Sequence, residues 1–248
     1  MIRSMRLVAV LACFLLPAIV VRADDDCKAV IDKAIKAHGG VEKLTKFTGG
    51  RSKSKGAIEL GGGLNFTSES AFQHPDKFKE SLELDVMGNK VTIVTVFDGE
   101  KGWIGTNGDV KEMDDTVLNA CKEQTHFMQL TRMTMLKDKK VEFSPLGEAK
   151  VNDKPAIGVK ISAKGHKDVN MFFDKETGLV VKVERQTLDA MSGKEVSEER
   201  IITEYQDIDG LKVAKKLVIN RDGKKFMEVE LLEHKPQEKL DASEFAKP

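Results

Sequence analysis

Apolar positions along this chain recur first with a helical period and then, for most of its length, with a period of two. Cys27, Val30, Ile31, Ala34 and Ile35 fall three and four residues apart, which is one apolar stripe of a helix. Asp24 to Asp26 stand at its positive end, and Gly39-Gly40 stops it. His38, close to the negative end, is read as compensating the helix dipole rather than as a catalytic base. A second helical turn is predicted for "VEKLTKF". From Lys53 the alternation begins. Leu64, Phe66, Ser68, Ser70 and Phe72 alternate with more polar positions, and so do Leu82, Leu84 and Val86. The pattern returns in Ile157 to Ile161, Val169 to Phe173, Leu179 to Val183, Leu217 with Ile219, and Met227 to Leu231. These read as half-buried strands. Between them stand Asp98-Gly99, Asn107-Gly108, Asp209-Gly210 and Asp222-Gly223, pairs suited to tight hairpins, and the longer turn "DKETG". Strands joined by such short turns are antiparallel neighbours.

The segment "VFDGEKGWIGTNGD", Val96 to Asp109, fits that meander. A phosphate-binding glycine pattern opens a helix or carries a lysine at a fixed place, whereas these glycines lie between two strands. Trp103 is therefore expected as a large apolar body on the inner face of a sheet, with ligand stacking as its alternative role.

One segment interrupts the strands. From Asp114 to about Lys137 the period returns to 3.6, with Val117, Cys121, Gln124, Met128, Thr131 and Met135 along one face and Asp114 or Asp115 as cap. Threonines in "THFMQLT" weaken the helix there. Met113, Met128, Met133 and Met135 lie in or beside it. Flexible thioethers suit either ordinary packing against a sheet or a surface that receives varied apolar partners.

The first 23 residues are read apart from the fold. Arg3 and Arg6 precede an apolar run from Leu7 to Val21, and Val21-Arg22-Ala23 has the small-residue pattern of a signal-peptidase site. Cleavage before Asp24 would export a single domain, 24–248, to the periplasm, soluble after processing. Lipidation at Cys13 is not expected, because the apolar run continues past it. Without that segment the 40 basic residues fall to 37 against 40 acidic ones, a net charge of −3. No basic face is concentrated enough for a nucleic-acid partner. Cys27 and Cys121 remain, and an exported chain can join such a pair in a disulfide contributing about 4–5 kcal/mol on the chain-entropy model. Two buried thiols are the alternative. No clustered Cys/His spacing suggests a metal site, and no cofactor is expected. GxSxG and HExxH are absent, and Cys121 and His126 stand about 140° apart around a helix, so no catalytic residue is assigned.

Several segments together carry a resemblance: "VFDGEKGW", the central helical interruption, "DKETGLVVKVERQ", "YQDIDGLKVAKKLVINRDGKK" and the ending "LDASEFAKP". Over most of 24–248 the chain resembles the exported outer-membrane lipoprotein carriers and their lipoprotein-sorting relatives. The resemblance implies an α+β fold: a strongly curved antiparallel β-sheet forming an unclosed β-barrel, with an N-terminal helix and a central helical lid. It implies a non-enzymatic monomer whose apolar interior takes the acyl chain of a lipoprotein or lipid, with envelope proteins as further partners. A sensor or protein-interaction module on the same sheet is the alternative. The lining expected on this reading includes Phe66, Phe72, Phe97, Trp103, Met128, Met135 and Phe173. The arginine that holds the lid in the carriers is matched to no position, although Arg51 stands in the right neighbourhood.

Overall fold

The computed structural model describes residues 23–60, 62–189 and 193–248. The expected export signal lies outside them, apart from Ala23. Two helices, α1 (Ala23–Ala37) and α2 (Gly40–Lys46), lead into six strands: β1 (Gly49–Ile58), β2 (Leu64–Gln73), β3 (Lys77–Val86), β4 (Asn89–Phe97), β5 (Gly102–Thr106) and β6 (Asp109–Glu112). Helix α3 (Asp115–Thr131) follows. Seven further strands complete the sheet: β7 (Val141–Val151), β8 (Lys154–Ala163), β9 (Val169–Asp174), β10 (Val180–Leu188), β11 (Glu195–Ile208), β12 (Leu211–Arg221) and β13 (Lys224–Gln237). A 3-10 turn, Ala242–Phe245, ends the chain.

All 13 strands belong to one antiparallel sheet, ordered β6-β5-β4-β3-β2-β1-β13-β12-β11-β10-β9-β8-β7. Every neighbouring pair except β1 with β13 is a sequence hairpin, so local turns set nearly all of the topology. Those turns have the backbone the sequence requires. Asn107-Gly108, Asp209-Gly210 and Asp222-Gly223 hold positive φ at both residues, the twist-compatible geometry of two-residue hairpins. The sheet curves strongly without closing, which leaves β6 and β7 as its two ends. Register shifts in the β1–β13, β9–β10, β11–β12 and β12–β13 pairs supply local bends of the kind that curve a sheet.

Small residues let aromatic rings lie across the strands. Gly50 faces Phe72 and Gly56 faces Phe66 across β1–β2. A Cβ on Gly56 would stand 1.9 Å from the Glu228 carbonyl oxygen and 2.6 Å from the Phe66 ring. Only glycine admits that approach, and in return the ring covers the exposed glycine backbone. The Phe66 ring is thereby committed to the sheet surface.

The main core lies between the helices and β7 to β12. Cys27, Ile31, Ala34 and Ile35 of α1 are all buried there, as their spacing predicts, with Leu130, Met133, Val159, Met171, Phe173 and Leu211. The central helix is capped as expected, Asp114 Oδ1 accepting from the Val117 amide at 3.0 Å. It ends at Thr131, a turn and a half before Lys137. Thr131 Oγ1 turns back to the Phe127 carbonyl at 3.1 Å, and Met133 takes a left-handed φ of 66°. Met135 therefore lies beyond the helix and packs against the main core.

Candidate functional site

Helices α2 and α3 and the interior face of the sheet enclose a cavity of about 320 Å³. Leu44 of α2, Phe127 and Met128 of α3, and Val183, Ile202, Val213 and Leu217 of the sheet give it an apolar wall. Phe72 lines it from β2. A larger depression, about 710 Å³, lies between α1 and residues 136–143. Its rim carries Lys28, Asp32, Lys137, Asp138, Lys139 and Glu142, a charged setting that gives an apolar ligand little shelter.

Of the residues expected as lining, Phe72 and Met128 reach the cavity. Phe97 is fully buried under α3 with Phe78, Met113 and Cys121, and Phe173 is equally buried in the main core. Trp103 is a correction. It is buried, but on the opposite face of the sheet, in a cluster with Ala71, Val96, Leu240 and Phe245. The two cysteines follow the second of the two readings, buried thiols. Cys27 belongs to the main core and Cys121 to the cluster beneath α3; they are not bonded to each other. The Cys121 thiol contacts Met113 Sδ at 3.6 Å, and burial pushes it up to about 11, which removes it as a nucleophile at neutral pH.

The polar part of the cavity has no signature in the sequence. His38 ends α1, its Nδ1–H donating to the Ala34 carbonyl at 2.8 Å, and its ring meets Tyr205 edge-on with centroids 5.6 Å apart. Burial lowers its pKa, so a hydrogen bond rather than a charge caps the helix. Phe72 stacks on His234, 5.9 Å between centroids with planes 7° apart, and has the tilted His74 ring 5.2 Å away. Ser52 Oγ and His234 Nδ1 lie 2.8 Å apart. Arg132, the residue that ends α3, donates to the Leu44 carbonyl at 2.9 Å and holds its guanidinium carbon 5.9 Å from the Phe72 ring centre. Burial pulls Arg132 down to about 10, still charged at neutral pH; burial and the Arg132 charge together pull His74 down to about 3.

Several contacts fasten α3 across the interior. Phe127 lies against two guanidiniums, Arg185 at 3.7 Å and Arg200 at 4.8 Å. Gln124 Oε1 accepts from Arg185 at 2.8 Å, and Gln129 Nε2 donates to the Pro75 carbonyl at 2.6 Å. Beneath them Glu198, 2% exposed, pairs with Arg185 at 3.0 Å, Arg200 at 2.9 Å and Arg221 at 3.5 Å. Burial opposes its charge, but the Arg200 and Arg185 guanidiniums outweigh burial and hold it at about 2. Arg51, by contrast, is on the outer side of this arrangement, paired with Glu244 at 2.6 Å and with Gln237. Among the described residues no group of three His, Cys, Asp or Glu side chains could hold a metal ion.

A curved, unclosed antiparallel sheet with helices over an apolar interior defines a class of fold that several solved structures share. No family model and no curated protein matches the chain by sequence. By structure it is similar to a LolA superfamily protein from Nitrosomonas europaea, with a TM-score of 0.57 and 9% identity over 89% of this chain and 97% of that one. A DUF1329 family protein from Desulfovibrio piger gives a TM-score of 0.56 at 13% identity, covering 88% of this chain and 96% of the other. An outer membrane lipoprotein-sorting protein domain from Vibrio parahaemolyticus gives 0.54 at 13% identity, with 88% and 94% covered. The chain thus has the LolA-type fold over nearly its whole described length.

Proposed function

We propose that this protein is an exported, non-enzymatic carrier or sorting protein that holds the acyl chain of a lipoprotein or lipid inside the curved sheet. The observation that carries this reading is the cavity of about 320 Å³ walled by Leu44, Phe127, Met128, Val183, Ile202 and Leu217. Its size is at the lower end of the range for small-ligand sites, about 300–1,000 Å³. Each methylene moved there from water is worth about 0.8 kcal/mol, so a chain can be retained without any catalytic group. The fold shared with a lipoprotein-sorting domain supports the same class of cargo.

Helix α3 acts in this reading as a displaceable cover. Its attachments to the sheet include side-chain hydrogen bonds from Gln124 and Gln129 and the seat of Phe127 between two arginines, which can part without unpairing any strand. Export is supported by the apolar run Leu7 to Val21 and the Val21-Arg22-Ala23 site. N-terminal sequencing of the envelope form should begin at Asp24. Native mass spectrometry after mild purification tests the carrier reading: a retained acyl species is expected. A ligand-free protein that also fails to take up an acylated peptide would reject it in favour of a sensor or interaction module.

A further inference from the structure

The cavity has a chemical polarity that an acyl chain alone does not use. Its wall contains His38, His74, Arg132, Arg200, Lys212 and His234, and no carboxylate. Arg200 and Lys212 already have acidic partners, Glu198 at 2.9 Å and Asp207 at 3.2 Å. Arg132 has none among the described residues. One of its terminal nitrogens donates to the Leu44 carbonyl, while the buried Nε has no acceptor. A guanidinium carries five N–H donors in a planar fork matched to an oxyanion, and a buried charge without a counter-ion is expensive. The Leu44 carbonyl and the end of α3 account for part of its placement, but not for the bare Nε; the acids nearest the room, Glu198 and Glu80, stand by Arg200, not by Arg132.

We propose that Arg132 receives the oxyanion head of a single-chain amphiphile, the head lying at Arg132 beside His74 and His234 and the tail running along Met128, Val183, Ile202 and Leu217. The inference rests on the carrier reading and refines it: the cargo has one chain and a negative head. Phe72, stacked on His234, forms the apolar floor on which head and tail meet. A room of about 320 Å³ fits one chain better than the two chains of a membrane phospholipid.

Isothermal titration of the full mature protein with dodecanol, dodecanoate and dodecyl phosphate tests this. Dodecanoate or dodecyl phosphate should bind about tenfold or more tightly than dodecanol, the range of one charge-assisted hydrogen-bonded contact. The tighter of the two tells whether the head is a carboxylate or a phosphate. Arg132→Gln should remove the preference for the anions over dodecanol, and Arg132→Lys should restore part of it. The comparison of the three ligands on the unaltered protein stands even if Arg132→Gln fails to fold. Equal binding of alcohol and anions, or a preference that survives in folded Arg132→Gln, overturns the head-group assignment while leaving the carrier reading intact. Binding of none of the three overturns the carrier reading and the assignment with it.

Discussion

Val96 and Trp103 face each other across the β4–β5 pair, and both side chains lie on the outer surface of the sheet. The next pair along, Phe97 with Gly102, points the other way: a Cβ on Gly102 would stand 2.3 Å from Met113 Sδ, beneath α3. The alternation of a strand makes these assignments inseparable, because placing Phe97 inside sends Val96 and its partner out. What covers Trp103 is the end of the chain. Leu240 and Phe245, 4% and 1% exposed, fold over it, and the Leu240 amide donates to Gln73 Oε1 at 2.7 Å.

Trp103 is therefore a structural residue and not a ligand contact. Trp103→Ala should cost about 3–5 kcal/mol, as for other buried aromatic truncations, and leave acyl binding in the surviving folded fraction unchanged. The indole emission should be that of a buried ring and should not be quenched by a brominated acyl ligand. Quenching by such a ligand would show that Trp103 reaches the cavity after all.

Met128 and Met135, placed on one helical face by sequence, separate in function. Met128 lines the cavity, whereas Met135 lies past the end of α3 against the main core. Met128→Asp should weaken binding of an apolar dye or acylated peptide by at least about tenfold, since a charge would enter an apolar room, with a modest change in stability. Met135→Asp should do the reverse, lowering the urea midpoint while folded protein still binds. Equal effects of the two substitutions on binding would remove the distinction.

Glu198 tests whether the sheet interior depends on charge neutralisation. It is the shared acceptor of Arg185, Arg200 and Arg221. Glu198→Ala leaves three guanidiniums facing one another, and breaking a buried pair in this way costs about 3–5 kcal/mol. Phe127 rests on two of these arginines, so α3 should also become more susceptible to proteolysis near residues 124–131. Wild-type stability in urea would show that the arginines are adequately solvated without it.

The legible part of the molecule was the part organised by local rules. Hairpin pairs such as Asn107-Gly108 and Asp222-Gly223 set strand order, the α1 stripe set its buried face, and the Asp114 cap set the start of α3. Strand β11 is not legible from apolar alternation because its interior positions include Glu198 and Arg200, which look solvent-facing until Arg185 and Arg221 are brought beside them by pairing. The cavity was legible only through Phe72 and Met128. Arg132, His74 and His234 lie far apart in sequence and share no spacing; they meet because β13 pairs with β1, which pairs with β2, and α3 ends above them. The face of Trp103 is not legible in the sequence because its strand has five residues and no long apolar alternation to fix its parity.

The same buried histidines predict how stability should follow pH. Burial lowers the pKa of His38, His74, His126 and His234; Arg132 adds to the effect at His74 and His234, and His166 adds to it at His126. The unfolded chain thus binds more protons than the folded one once pH drops below about 6.5, the ordinary histidine value. Stability from these residues is complete above that point and is lost as pH falls, at up to about 1.4 kcal/mol per pH unit for each fully titrating histidine. For His74, whose folded value is about 3, the loss should continue through the whole interval. Glu198, held at about 2 in the fold, contributes its own loss only below the ordinary carboxylate range. Between about 6.5 and 4.5, the ordinary histidine and carboxylate values, the histidines act together, opposed by Glu80, whose pKa desolvation raises. Urea midpoints measured at pH 7.5, 6.0 and 5.0 should decline in order, and His74→Gln should flatten the decline. An oxyanion bound at Arg132 would offset part of the charge beside His74 and His234, so the loss should be shallower with dodecanoate present. A midpoint that rises on acidification would contradict the burial of these rings in neutral form.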